Sequence, residues 1–164
     1  MRLRGAFRIA ATTSATWELL LSPLALADCV PGARDVRQVD ERRFEGTVHA
    51  AVGPMDGEFV FTATIEEAVF PDALVVRIEG ADTVTRSRLD AAVRARVAEA
   101  DGGTELAYDA SVGVHGRLAI LGEMVMRATA SLMIDGAVGC LRRRLEAADA
   151  AGADAAPGLQ GGRP

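Results

Sequence analysis

Apolar and polar residues alternate along most of this chain, and a period of two predicts strands half buried on a sheet. Leu3, Gly5, Phe7 and Ile9 alternate with Arg2, Arg4 and Arg8. Thr12-Thr13-Ser14 then offers capping hydroxyls for a short helix through Trp17–Leu21, and Pro23 suits the first turn of a second, Leu24 to Asp28. A polar strand carries Val36 and Val39. Alternation resumes at Phe44–Val52, Phe59–Ile65, Leu74–Ile78, Leu89–Val97 and Leu106–Val114, with turn residues between. The Leu89–Val97 segment is alanine-rich, but its strict alternation favours strand over helix. The period then changes to that of a helix from Arg117 to Leu145. There Glu123, Arg127, Ser131 and Asp135 form one narrow polar stripe, and nearly everything else is apolar or small. So wide an apolar arc is expected to bury most of its circumference.

The predicted order is strand, two short helices, about six antiparallel strands and one long helix. A one-sided sheet needs a cover on its inner face, and the long helix is the candidate. The inward positions are light: Gly46, Ala50, Ala63, Ala91, Ala95 and Ala110 on the sheet, Ala128 on the helix. Small inward residues on a large sheet predict a void or a guest. The expected walls are Phe59, Phe61, Val76, Ile78, Tyr108 and Ala110 on strands, with Leu121, Met124, Val125, Ala128 and Leu132 on the helix. A buried Tyr108 hydroxyl needs a partner, for which Thr129 or a ligand carbonyl is expected. The stretch Gly53–Gly57 reads as a hairpin loop, with Pro54 and Met55 as gate candidates.

Length and 49% hydrophobic content fit one domain with a substantial core. A net charge of −5 excludes the basic stripe that nucleic-acid binding requires. Cys29 and Cys140 are far apart and form no C-x-x-C pattern, so neither a disulfide framework nor a zinc site is indicated. One cross-link between them is geometrically allowed but not arguable from spacing, and Cys29 reads as a buried structural cysteine. With only His49 and His115, little material exists for metal binding, and no catalytic residue is assigned. The N-terminus imitates an export signal through its arginine pair and the run Leu19–Leu26, but Arg8, Glu18 and Pro23 interrupt it. No run reaches the roughly 18 uninterrupted apolar residues of a membrane span. Arg142-Arg143-Arg144 complements the C-terminal end of the helix dipole, or meets an anionic surface. Residues 147–164, rich in alanine and glycine, have little to bury and read as a disordered tail after a domain spanning 1–146.

Three stretches carry a family resemblance: Leu26–Gly32, with its A-x-C-x-P-G wording; Val52–Phe59, with V-G-P-x-x-G; and Gly116–Gly122 opening the long helix. Together with the strand spacing they resemble the CoxG family of carbon monoxide dehydrogenase subunits, within the SRPBCC/START-like superfamily. The resemblance covers about Leu3 to Leu145. It implies a helix-grip α+β fold (START/Bet v 1-like), a curved antiparallel sheet of about seven strands around a long C-terminal helix. It also implies a non-catalytic accessory protein for a molybdenum CO dehydrogenase-type hydroxylase, acting in membrane recruitment or electron transfer to quinone. The expected guest is an apolar small molecule such as a quinone or other lipid. The expected place is the cytoplasm, peripheral at the inner face of the cell membrane. The chain departs from the family at Ala81–Arg88, where glycine is usual. Two other classes stay open: a cyclase- or hydrolase-like enzyme of the same superfamily, and a structural interaction protein with a filled core.

Overall fold

The computed structural model describes residues 1–160, with side chains through residue 151. Every stretch of period-two alternation is a strand: β1 (Arg2–Ile9), β3 (Arg43–Val52), β4 (Met55–Val69), β5 (Ala73–Asp82), β6 (Ser87–Ala100) and β7 (Gly103–His115). The short polar strand is β2 (Ala33–Gln38), which holds Val36 but ends before Val39. They form one antiparallel sheet in the order β1-β7-β6-β5-β4-β3-β2, so β1 and β2 are the edges. The alanine-rich segment is indeed strand, pairing Ala91 with Ile78 on one side and Val112 on the other. The signal-like N-terminus supplies an edge of the sheet, since Leu3 pairs with Ala110 and Ile9 with Thr104. Helix α1 (Thr13–Leu20) begins where Thr12 Oγ1 accepts the Ala15 amide at 3.1 Å. Helix α2 (Pro23–Ala27) starts on its proline.

Three sequence expectations need correction. The first concerns the hairpin between β3 and β4, which is tighter than a five-residue loop. Val52 already pairs with Met55, leaving Gly53-Pro54 as the whole turn.

The second concerns the long helix, which does not start at Arg117. Arg117–Leu121 is a 3-10 turn, and α3 (Glu123–Gln160) begins only after Gly122. Gly116 (φ +95°) and Gly122 (φ +88°) bracket that turn in the left-handed region that side chains disfavour. At Gly116 a Cβ would also collide with the Arg86 carbonyl. The chain can therefore change direction twice within seven residues. At its other end α3 runs through Gln160, although composition predicts a disordered tail there; Gly161–Pro164 lie outside the described residues. Alanine is the strongest helix former, so a segment with nothing to bury can still be helical.

The third concerns burial. The helix covers the sheet with one face only. Met124 is 86% exposed and Leu132 73%, with Ile120 beside them at 81%. By length and composition Glu123–Ala151 is apolar enough to cross a membrane, and just 6% of its most apolar window is buried.

The covering face is tied along the β1 edge. Arg127 donates to the Arg2 carbonyl at 2.8 Å and Arg142 to the Arg8 carbonyl at 2.9 Å. Those anchors match in length, because a helix rises about 22 Å between the arginines and a strand spans about 20 Å between their acceptors. Glu146 accepts the Ala10 amide at 2.9 Å, and Arg144 reaches the Ala25 carbonyl at 3.3 Å. A disulfide joins Cys29, just past α2, to Cys140 in α3. The buried structural role expected of Cys29 is thus that of a covalent tether.

The core divides in two. One cluster gathers Trp17, Phe44, Leu74, Leu106 and Leu145 around α1. The other gathers Val52, Phe59 and Leu118 beneath the 3-10 turn.

Candidate ligand cavity

Between the two core clusters lies a cavity of about 380 Å³, within the range of about 300–1,000 Å³ usual for small-molecule sites. Its floor is the inner sheet face, where Phe59, Phe61, Val76 and Ile78 stand as the alternation predicts. Ala50 and Ala63 lie beside them, and their missing bulk is part of why the space is there. The roof is α3, through Met126, Thr129, Ala130 and Met133. One side wall comes from α2 and the turn after it, through Leu26, Ala27 and Val30. Ala27 and Val30 flank Cys29, so the disulfide fixes this wall to the roof.

The helix residues expected at the wall are elsewhere. Met124, Ala128 and Leu132 point to solvent. An α-helix turns about 100° per residue, so Ala128 and Ala130 lie about 200° apart on it. Both faces are apolar, and the one that periodicity offers as a wall is the outer one. Leu121 and Val125 pack at the cavity's end, next to the β3–β4 hairpin, where a Cβ on Gly53 would sit 3.2 Å from Val125. Tyr108 and Ala110 face inward but do not line the cavity. Tyr108 covers Gly5, its register partner on β1, and Ala110 is buried opposite Leu3. The expected Tyr108–Thr129 bond is not made, for Thr129 Oγ1 donates to the Val125 carbonyl at 3.0 Å. Of the gate candidates, Pro54 is exposed, while Met55 packs against the Phe59 cluster. That tight turn caps the cavity's end.

The wall from α2, and Val36 on β2, had no signal in the sequence. These elements are too short for periodicity to reveal a buried face, and their docking is decided by contacts remote in sequence.

A polar knot holds the 3-10 turn over this end. Asp82, 3% exposed, accepts from the Glu58 and Val84 amides and from the Thr85 hydroxyl at 2.8 Å. Ser87 Oγ in turn accepts the Leu118 amide at 3.0 Å. Desolvation pushes the Asp82 carboxyl up, but the bonds from Thr85, Val84 and Glu58 outweigh it and hold it below its usual value. These charges and hydroxyls serve the frame and do not line the cavity. Nor do the histidines, both exposed: His115 lies 3.0 Å from Asp90, and His49 lies 3.6 Å from Asp56. Among the described residues, no group of three or more His, Cys, Asp or Glu side chains is placed to hold a metal. Among those same residues, Thr129 is the one lining residue with a polar side chain.

Solved structures share this architecture. A conserved protein from Geobacillus kaustophilus superposes with a TM-score of 0.81 at 17% identity, covering 88% of this chain and 95% of its own. Ara h 8.0201 superposes at 0.62 with 9% identity, covering 88% and 97%. The Zhui aromatase/cyclase from Streptomyces sp. R1128 superposes at 0.60 with 13% identity, covering 89% and 93%. At such identities the likeness shows the fold, which is helix-grip. Among curated protein sequences none matches. The family profile for CoxG, a carbon monoxide dehydrogenase subunit, matches residues 5–146, nearly the whole of the described chain. The chain belongs to the CoxG family.

Proposed function

We propose that this protein takes up an apolar molecule in its central cavity and serves as an accessory to a molybdenum CO dehydrogenase-type hydroxylase. The observation that carries the binding reading is the hollow between two packed clusters, walled almost wholly by hydrocarbon. Protein interiors pack densely, and a void this size leaves its lining without partner atoms. A guest restores those contacts. The hydroxylase connection rests on family membership alone. A quinone or another lipid suits the lining, since each methylene buried is worth about 0.8 kcal/mol.

The exposed row Ile120, Met124 and Leu132 supports a second part of the reading, contact with a lipid surface from which such a guest is drawn. These side chains lie on the outer face of the segments that roof the cavity, so the membrane-facing side and the ligand-facing side are one element. The test loads phospholipid vesicles with diphenylhexatriene, a neutral apolar dye, and follows its transfer to the protein. Wild type is expected to extract the dye. The variant Met124→Asn/Leu132→Asn should extract it at least several-fold more slowly, with unchanged affinity for dye supplied in solution. Equal extraction rates would remove the membrane contact. No uptake by either route would remove the binding reading.

A further inference from the structure

We infer that, among apolar molecules, the cavity favours those carrying a hydroxyl group, and that Thr129 is the residue that reads it. The inference rests on the ligand-binding reading above and narrows its guest: of a quinone pair it selects the reduced, hydroxyl-bearing quinol over the quinone, and of other lipids those with an O–H.

A threonine hydroxyl has one proton to give and two lone pairs to offer. Thr129 Oγ1 gives its proton to the Val125 carbonyl one turn earlier, at 3.0 Å. What its oxygen has left to offer a guest is therefore acceptor capacity. On the same helical face Met126 lies three residues before it and Met133 four after, so one thioether flanks it on each side. Thioether sulfur is also a weak acceptor and never a donor. The remaining lining side chains are hydrocarbon apart from the Met1 thioether, and the Met1 ammonium donates to the Val112 carbonyl at 2.7 Å. The side chains around the guest thus hold acceptors but no free donor.

That imbalance separates two kinds of guest. An alcohol or phenol donates its O–H to Thr129 and adds a hydrogen bond to those already formed. A ketone has only lone pairs. It reaches Thr129 by taking the proton from the Val125 carbonyl, which exchanges one hydrogen bond for another. Otherwise the ketone oxygen is buried without a partner, and burying an unpartnered polar group is unfavourable. A net hydrogen bond corresponds to roughly a threefold to tenfold difference in affinity.

The test uses a matched pair, 2-dodecanol and 2-dodecanone, each displacing diphenylhexatriene from the full chain. The comparison protein is Thr129→Val, which keeps the β-branched shape and removes the oxygen. The ratio of alcohol to ketone affinity should fall roughly threefold to tenfold from wild type to Thr129→Val. Most of that fall should come from weaker alcohol binding. A ratio that is the same in both proteins, with both compounds bound, would overturn the role of Thr129 and leave the cavity reading standing. If neither compound displaces the dye, or the dye does not bind, the cavity reading falls and this inference with it.

Discussion

Replacing Ala130 with tryptophan is expected to weaken binding of an apolar guest at least about a hundredfold while leaving the protein as stable as before, or more so. Ala130 lines the roof. An indole there occupies space the guest needs, and excluding the equivalent of three or four methylenes forfeits about 2.5–3 kcal/mol, near a hundredfold. The stability effect is the more telling half. In a filled core an added ring forces strain and costs about 1–3 kcal/mol. In a hollow one it gains contacts with Phe61, Ile78 and the other half-covered side chains of the floor. The control is Ala128→Trp, on the outer face, which should bind guest as wild type does. Isothermal titration and thermal unfolding of the three proteins measure both quantities. A sharp loss of stability in Ala130→Trp would mean that the core is filled.

Removing the disulfide should have the largest effect on stability. The bond closes a loop across 111 residues, from the end of α2 to the middle of α3. The chain-entropy argument assigns a loop of that length about 4–5 kcal/mol, and native disulfides usually contribute about 2–5. In a chain of this size each kcal/mol moves the melting temperature by about 2–4 °C. The Cys29→Ala/Cys140→Ala variant should therefore melt about 8–15 °C below wild type. It should also bind guest more weakly, because the Ala27 and Val30 wall is then held to α3 mainly by exposed contacts such as Arg144 with Asp28 at 3.5 Å. Calorimetry with and without reductant makes the comparison. An unchanged melting temperature in the double variant would show that noncovalent packing alone fixes that wall.

The parts of the fold carried by local pattern were legible in the sequence, and the parts decided by distant contacts were not. Six of the seven strands follow from alternation, which each residue's two neighbours are enough to show; β2 is too short and polar to display it. The floor residues Phe59, Phe61, Val76 and Ile78 follow from it as well, since a strand has only two faces and one was polar. Helix α3 offered no such choice. Its row Met124, Ala128 and Leu132 is as apolar as its row Met126, Ala130 and Met133, so periodicity could place the polar stripe but not decide which flank of it was buried. The assumption that apolar means covered then hid the exposed row altogether. The break at Gly122 was legible in principle, because Gly116 and Gly122 bracket Arg117–Leu121. The pairing of Cys29 with Cys140 was not, because spacing along the chain says nothing of the turn after α2 meeting the middle of α3. The stretch Ala81–Arg88 serves the frame, since Asp82, Thr85 and Ser87 build the knot that secures the 3-10 turn.

The central claim, that the space between sheet and α3 is a site for a guest, is tested most directly by native mass spectrometry of the purified protein followed by organic extraction. The expected result is a population whose mass exceeds that of the chain by one discrete apolar molecule, which passes into the organic phase and is absent from Ala130→Trp. A single mass equal to that of the bare chain, persisting after incubation with diphenylhexatriene and with long-chain alcohols, would contradict it.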